Sequence, residues 1–169
     1  YVSGRIPVIA GTGANSTSEA INLTLKAKQV GADACLIVTP YYNKPTQAGY
    51  LAHYKALASE TDLPIILYNV PGRTMSNMTP ETTCRLAHDF KNIIATKEAS
   101  GSFDQFNQIM RDKPKDFLLI SGDDPIALPM ISIGAVGVIS VLGNALPKQL
   151  SDMVRLCLKG DFASALPAH

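Results

Sequence analysis

An amine and a phenol at the ends of consecutive apolar runs are the groups of this sequence best suited to chemistry. Tyr68 closes the run Pro64-Ile65-Ile66-Leu67 and opens Tyr68-Asn69-Val70-Pro71-Gly72-Arg73-Thr74; Lys97 follows Ile93 to Thr96 in Thr96-Lys97-Glu98-Ala99-Ser100. A lysine attacks a carbonyl only as the neutral amine, so a nucleophilic Lys97 needs desolvation or nearby positive charge. Making and breaking the resulting imine moves several protons, which a positioned Tyr68 phenol can shuttle. Arg73, further along the same segment, offers forked donors that match a carboxylate bidentately. The trio points to Schiff-base chemistry on a small keto acid. Each member also has a plainer reading: a solvated strand-end lysine paired with Glu98, a packing tyrosine, a surface arginine.

Three further segments bear on a site. Thr39-Pro40-Tyr41-Tyr42-Asn43-Lys44-Pro45 sets two tyrosines between prolines, either presenting them outward as a subunit contact or laying them over core. Ser121-Gly122-Asp123-Asp124 follows another apolar run, and Asp124 reads as the cap of the next helix. His53, His88 and His169 form no ligand-spaced cluster with cysteines or acids, so no metal site is expected.

These residues need a scaffold. With 169 residues, 46% of them apolar, the chain can bury a substantial core as one domain or a large part of one. Fifteen basic residues balance fourteen acidic ones without a run of either sign, which excludes a nucleic-acid backbone or an anionic membrane surface as the expected partner. A small-molecule ligand fits better. The three cysteines, Cys35, Cys84 and Cys157, sit far apart in apolar patterns and read as buried thiols of a reducing, cytoplasmic compartment. Residues 125–147 carry no charge, but Pro129, Gly134, Gly137, Gly143 and Asn144 break them into a short helix, a turn and the run Val136 to Val141, arguing against a membrane span. The opening segment, Tyr1 to Ala10, lacks the order of a signal peptide and reads as the middle of a larger fold.

Apolar runs at Pro7 to Ala10, Ala34 to Val38, Ile65 to Tyr68, Ile93 to Thr96, Phe117 to Ile120 and Gly137 to Val141 suit strands buried on both faces, each followed by helical character. Ser16-Thr17-Ser18-Glu19 spells a capping box for a helix ending near Gly31, and Thr79-Pro80-Glu81 another helix start. Gly31-Ala32-Asp33 and Gly134-Ala135 read as returns to strand. Repeated βα units imply parallel strands with right-handed crossovers. Polar residues past several different strands, and no Gly-x-Gly-x-x-Gly element, favour a (β/α)8 TIM barrel over an open doubly wound sheet. A barrel typically takes about 250 residues. Residues 1–169 are therefore expected to be a single partial catalytic domain of about six βα units, the third to eighth strands, lacking the first two units and part of the C-terminal helical region.

Taken together, Leu67 to Thr74, Lys97 to Gly101, Thr39 to Pro45, Ser121 to Asp124 and Gly137 to Val141 resemble the 4-hydroxy-tetrahydrodipicolinate (dihydrodipicolinate) synthase family of pyruvate-dependent class I aldolases, over essentially the whole chain. The resemblance implies an enzyme of lysine and diaminopimelate biosynthesis that condenses pyruvate with aspartate-4-semialdehyde. It implies no cofactor beyond a Schiff base between pyruvate and Lys97, with Tyr68 as proton relay and Tyr42 reaching into a neighbouring subunit of a homotetramer of tight dimers. Arg73, Gly122 and the Ile139 carbonyl would attend the substrate. Asn15, Glu19 and Tyr41 match an allosteric lysine site, although Glu19 is also the acidic arm of the capping box. N-acetylneuraminate lyase and other keto-sugar aldolases share the lysine and tyrosine but not the Gly72-Arg73-Thr74 ending. A non-catalytic ligand-binding barrel is a third reading, opposed by the joint presence of Lys97, Tyr68 and Arg73. The family's Gly-Thr-Thr-Gly-Glu segment has no counterpart here, so the piece alone is expected to be inactive.

Overall fold

In the computed structural model, which describes residues 2–169, five parallel strands lie side by side in chain order. They are β1 (Ile9–Gly11), β2 (Ala34–Val38), β3 (Ile65–Asn69), β4 (Ile93–Glu98) and β5 (Leu118–Ser121). Between them run α1 (Thr17–Gln29), α2 (Gln47–Glu60), α3 (Pro71–Thr74), α4 (Pro80–Asp89) and α5 (Phe103–Asp112), and α6 (Ala127–Ser132), α7 (Pro147–Leu158) and α8 (Phe162–Ala165) follow β5. Tyr1, in the opening segment, lies outside the described residues.

The sixth apolar run does not form a strand of its own. It joins the sheet through one parallel bridge, Ser121 to Val138, where the Ser121 amide donates to Gly137 and the Ile139 amide to Ser121. Gly137 at φ 154° interrupts the extended backbone just before that contact. Strand ends also run later than expected. Both Tyr68 and Lys97 sit inside their strands, one residue before the last.

Sheet register sorts side chains onto two faces. Ile37, Leu67, Thr96 and Leu119 lie in one row, all 0% exposed, against the helices. The neighbouring row, Val38, Tyr68, Lys97 and Ile120, faces the opposite way and is less deeply covered. Expected burial on both faces thus holds fully only for the helix side. There α1 packs on α2, α2 on α4 and α4 on α5, around Tyr50, Tyr54, Leu57, Leu86, Phe106 and Ile109.

Local signals explain most helix limits. The Thr79 hydroxyl accepts the Thr82 amide with Pro80 in the first turn, as expected of a capped start. Ser16 accepts from the Glu19 amide at 3.5 Å, but among the described residues Glu19 makes no return bond, so only half of the capping box forms. After α1, Gly31 turns the chain at φ 81° and the Asp33 carboxylate accepts the Val8 amide, tying the return to β1. Gly134 also has a positive φ, 110°, and a Cβ there would meet Met110 Cε at 2.6 Å.

Candidate active site

Parallel register places Tyr68 directly beside Lys97, the amine Nζ lying 4.0 Å from the centre of the Tyr68 ring. Both side chains project from the row that the helices do not cover, at the C-terminal ends of the strands. Lys97 is 9% exposed, and among the described residues it makes no ion pair with Glu98, which points to the helix side and is 0% exposed. The solvated Lys97–Glu98 pair is thereby replaced by a buried amine on one face of β4 and a buried carboxylate on the other.

An open cleft of about 430 Å³ surrounds this pair, lined by Tyr68, Val70, Gly72, Arg73, Lys97, Ala99, Gly122, Asp123 and Val141. Arg73 lies not in an open loop but on the single turn α3, which Pro71 starts and Met75 ends in a left-handed conformation at φ 57°. Thr74 pins that turn through bonds from its hydroxyl to the Val70 and Ser76 carbonyls. The exposed Arg73 guanidinium is thus held at the cleft edge.

Burial pushes the Lys97 amine below the ordinary lysine range; Asp124 works against that and Arg73 adds to it. Burial raises the Tyr68 phenol, with Arg73 opposing and Asp123 assisting, so the hydroxyl keeps its proton. An amine with weakened proton affinity beside a protonated phenol is the combination that carbonyl addition needs.

Asp124 does not cap the helix that follows it. Its Oδ2 accepts the amides of Val141 at 3.1 Å and Leu142 at 2.9 Å, fastening the stretch after the Val138 bridge. Burial favours the neutral acid, but the Ser140 hydroxyl, the Leu142 and Val141 amides and the Lys97 charge hold the carboxyl below its usual range. The chain supplies this contact from a distant segment, so the sequence pattern carries no sign of it.

Gly122 is needed sterically. A Cβ there would lie 2.8 Å from Ala99 Cβ, 3.1 Å from the Glu98 carbonyl and 3.2 Å from Lys97 Cε, so a side chain would clash with Ala99 and crowd the base of the Lys97 amine. Ile139 stands one residue beyond the bridge, its amide on Ser121, and is not among the residues lining the cleft.

Tyr42 is also absent from the cleft lining. It is 88% exposed with φ 72°, Tyr41 is 42% exposed and Lys44 has φ 45°, so the loop presents its tyrosines outward rather than over the core. Asn43 anchors that loop by donating from Nδ2 to the Asn15 carbonyl at 3.1 Å, which joins the segments of Asn15 and Tyr41; Glu19 lies exposed on the first turn of α1. Among the described residues no group of His, Cys, Asp and Glu could hold a metal ion, and no helix is long and apolar enough to cross a membrane. The three cysteines are free and buried.

Comparison with known proteins gives the geometry a context. The model of the Dihydrodipicolinate synthetase family matches residues 1–169. A curated relative from Phocaeicola vulgatus, a 4-hydroxy-tetrahydrodipicolinate synthase, is 56% identical over 168 residues, covering 99% of this chain and 57% of that protein. The crystal structure of dihydrodipicolinate synthase from Aquifex aeolicus superposes with a TM-score of 0.98 at 47% identity, over 99% of this chain and 57% of the other. That of the Acinetobacter baumannii enzyme complexed with pyruvate superposes at 0.95 with 46% identity, again over 99% and 57%. This chain thus spans little more than half the length of the proteins it matches.

Proposed function

Because the chain belongs to the Dihydrodipicolinate synthetase family, we propose that the full-length protein is a Schiff-base lyase condensing pyruvate with aspartate-4-semialdehyde to 4-hydroxy-tetrahydrodipicolinate. The observation that carries this reading is the Lys97 amine, 9% exposed, 4.0 Å from the centre of the Tyr68 ring and beside the Arg73 turn. We propose likewise that residues 1–169 are part of a (β/α)8 barrel. Five parallel strands in sequential order, helices along one face and reactive groups at the C-terminal ends support it.

In this mechanism the neutral Lys97 amine adds to the keto carbon of pyruvate, and the carbinolamine loses its hydroxyl as water to leave a protonated imine. The adduct's ammonium proton passes to its alkoxide, and the Tyr68 phenol donates the further proton with which the hydroxyl leaves as water, itself becoming the phenolate. The Tyr68 phenolate takes up a methyl proton as the imine becomes an enamine, and the regenerated phenol gives a proton to the aldehyde oxygen as the enamine carbon adds to the aldehyde of the acceptor. The acceptor's amine then attacks the imine carbon and displaces Lys97, closing the ring. Arg73 holds a substrate carboxylate at the cleft edge, and Gly122, beside Lys97, borders the reacting centre. No other cofactor is required. Tyr42 serves the site of a neighbouring subunit in a homotetramer of tight dimers, which its exposure and strained backbone support. Asn15, Glu19 and Tyr41 form a lysine-binding surface at that interface, and the buried free thiols suit a cytoplasmic enzyme.

Borohydride reduction of the full-length protein with pyruvate, followed by peptide mass analysis, tests the chemistry. The expected result is a reduced pyruvyl adduct on Lys97 that is absent from Lys97→Ala; an unmodified Lys97 in the intact protein overturns the proposal. Turnover with aspartate-4-semialdehyde but not N-acetylmannosamine separates the synthase from the keto-sugar aldolases.

A further inference from the structure

Directly behind the reactive pair lies a second cross-strand pair. Register sets Asn69 opposite Glu98 as it sets Tyr68 opposite Lys97, and alternation turns Asn69 and Glu98 to the helix side. Both are 0% exposed. Asn69 Nδ2 donates to Glu98 Oε1 and Oε2, each at 3.2 Å, the Ser100 amide to Oε1 at 2.8 Å, and Gln105 Nε2 to Oε2 at 3.2 Å. Among the described residues every hydrogen bond to Glu98 is donated to it, and no cation pairs with it. The cage therefore matches a carboxylate and not an amide, which would turn donors against donors.

This network spans four segments. Asn69 Oδ1 accepts the Met78 amide at 3.1 Å and its Nδ2 also reaches Asn77 Oδ1 at 2.8 Å, while Asn77 Nδ2 donates to Gln105 Oε1 at 3.0 Å. The ends of β3 and β4, the segment leading into α4 and the first turn of α5 are thus tied at one buried carboxylate. The residues it ties, Asn69 and Glu98, are the chain neighbours of Tyr68 and Lys97. A slip or splay at this pair moves the phenol relative to the amine.

We propose that Glu98 is a positioning residue whose carboxylate, through Asn69 and Gln105, holds the Tyr68 ring and the Lys97 amine in the geometry for imine formation; the inference rests on the proposed Schiff-base reading. Burial raises the Glu98 acid above the ordinary carboxyl range, and the Asn69, Ser100 and Gln105 donors, which favour the ionised form, oppose that rise without cancelling it. The gain is in rate rather than affinity, because Glu98 lies on the face of β4 away from the cleft.

The test compares wild type, Glu98→Gln and Gln105→Met in the full-length protein, following borohydride trapping of pyruvate at Lys97 across pyruvate concentrations. Glu98→Gln is expected to slow trapping at saturating pyruvate by about tenfold or more, a displacement effect, with the half-saturating concentration within about threefold of wild type. Gln105→Met removes one donor and keeps the carboxylate, and the same split at smaller amplitude is expected; if Glu98→Gln does not fold, this variant decides. Trapping rates within about twofold of wild type in the folded variants overturn the inference while leaving the Schiff-base reading intact. A fall in rate accompanied by an equal rise in half-saturation also overturns it, because that marks general loosening of the cleft. Failure of wild type to form any adduct removes the Schiff-base reading, and the inference with it.

Discussion

Lys97 stands between a cation and an anion that pull its proton affinity in opposite directions, Arg73 lowering it and Asp124 raising it. Removing each charge should therefore move the pH dependence of imine formation in opposite senses. In Asp124→Asn, which keeps an acceptor for the Val141 and Leu142 amides, the midpoint of the trapping rate is expected at lower pH than in wild type. In Arg73→Ala it is expected at higher pH. Rates of borohydride trapping across pH check both, and a common direction for the two would contradict the assignment. Gly122→Ala tests the space around the amine: a Cβ 2.8 Å from Ala99 Cβ forces a shift there, and at 3.2 Å from Lys97 Cε it also crowds the lysine. Trapping should slow by about tenfold with the circular dichroism of the fold retained. Candidate residues for the proposed site were readable because few side chains can form an imine or clamp a carboxylate. The role of Asp124 was not: its position before a helix suggests a cap, whereas its partners are amides of a distant segment.

Between elements, α1 and α2 are joined by an unusual link. His53 on α2 meets the Thr17 hydroxyl at 2.9 Å through Nδ1, packs edge-on against Tyr54 and leaves Nε2 buried with no partner among the described residues. Burial lowers its pKa from 6.5 to about 4, since a second N–H would face no acceptor. The unfolded chain thus binds a proton that the native state refuses between these values. Stability from this group is complete above pH 6.5 and is lost as the pH falls toward 4, by about 3 kcal/mol at full extent. Denaturant titration of wild type and His53→Gln at neutral and acidic pH checks this; the variant should lose less stability on acidification. Of the elements themselves, the capped start of α4 and the glycine turn after α1 were legible, because hydroxyl caps and left-handed glycines act over a few residues. The sixth run was less so: its β-branched residues satisfy strand propensity, but Gly137 and the pull of Asp124 on Val141 and Leu142 leave it one bridge.

For the proposed assembly, the exposed Tyr42 and its strained loop suggest a test by subunit mixing. If Tyr42 completes a neighbour's site, Tyr42→Ala and Lys97→Ala subunits of the full-length protein are each inactive alone, while a mixed pair has one intact site. Unfolding and refolding the two together in equal amounts should restore about a quarter of wild-type activity, since half of the pairs are mixed and each has one working site of two. No regain on mixing would assign Tyr42 to its own subunit's site or to packing. The sequential order of strands was inferable from repeated βα units, whose short connections make neighbours in sequence neighbours in space. The sequence by itself determined which groups can do chemistry, that five of its six apolar runs become strands and which family the chain resembles, because these rest on side-chain type and short-range periodicity. Only the tertiary structure decided which face of β4 is the cleft side that Lys97 takes and which is the helix side that Glu98 takes, that a side chain at Gly122 would crowd Ala99 and Lys97, and that Asn69, Asn77, Gln105 and Glu98 close into one buried network. Those outcomes depend on strand register and on contacts between segments far apart in the chain, and neither is written in any local pattern. The opening pair of amine and phenol is thus a matter of sequence, while the 4.0 Å between them is a matter of fold.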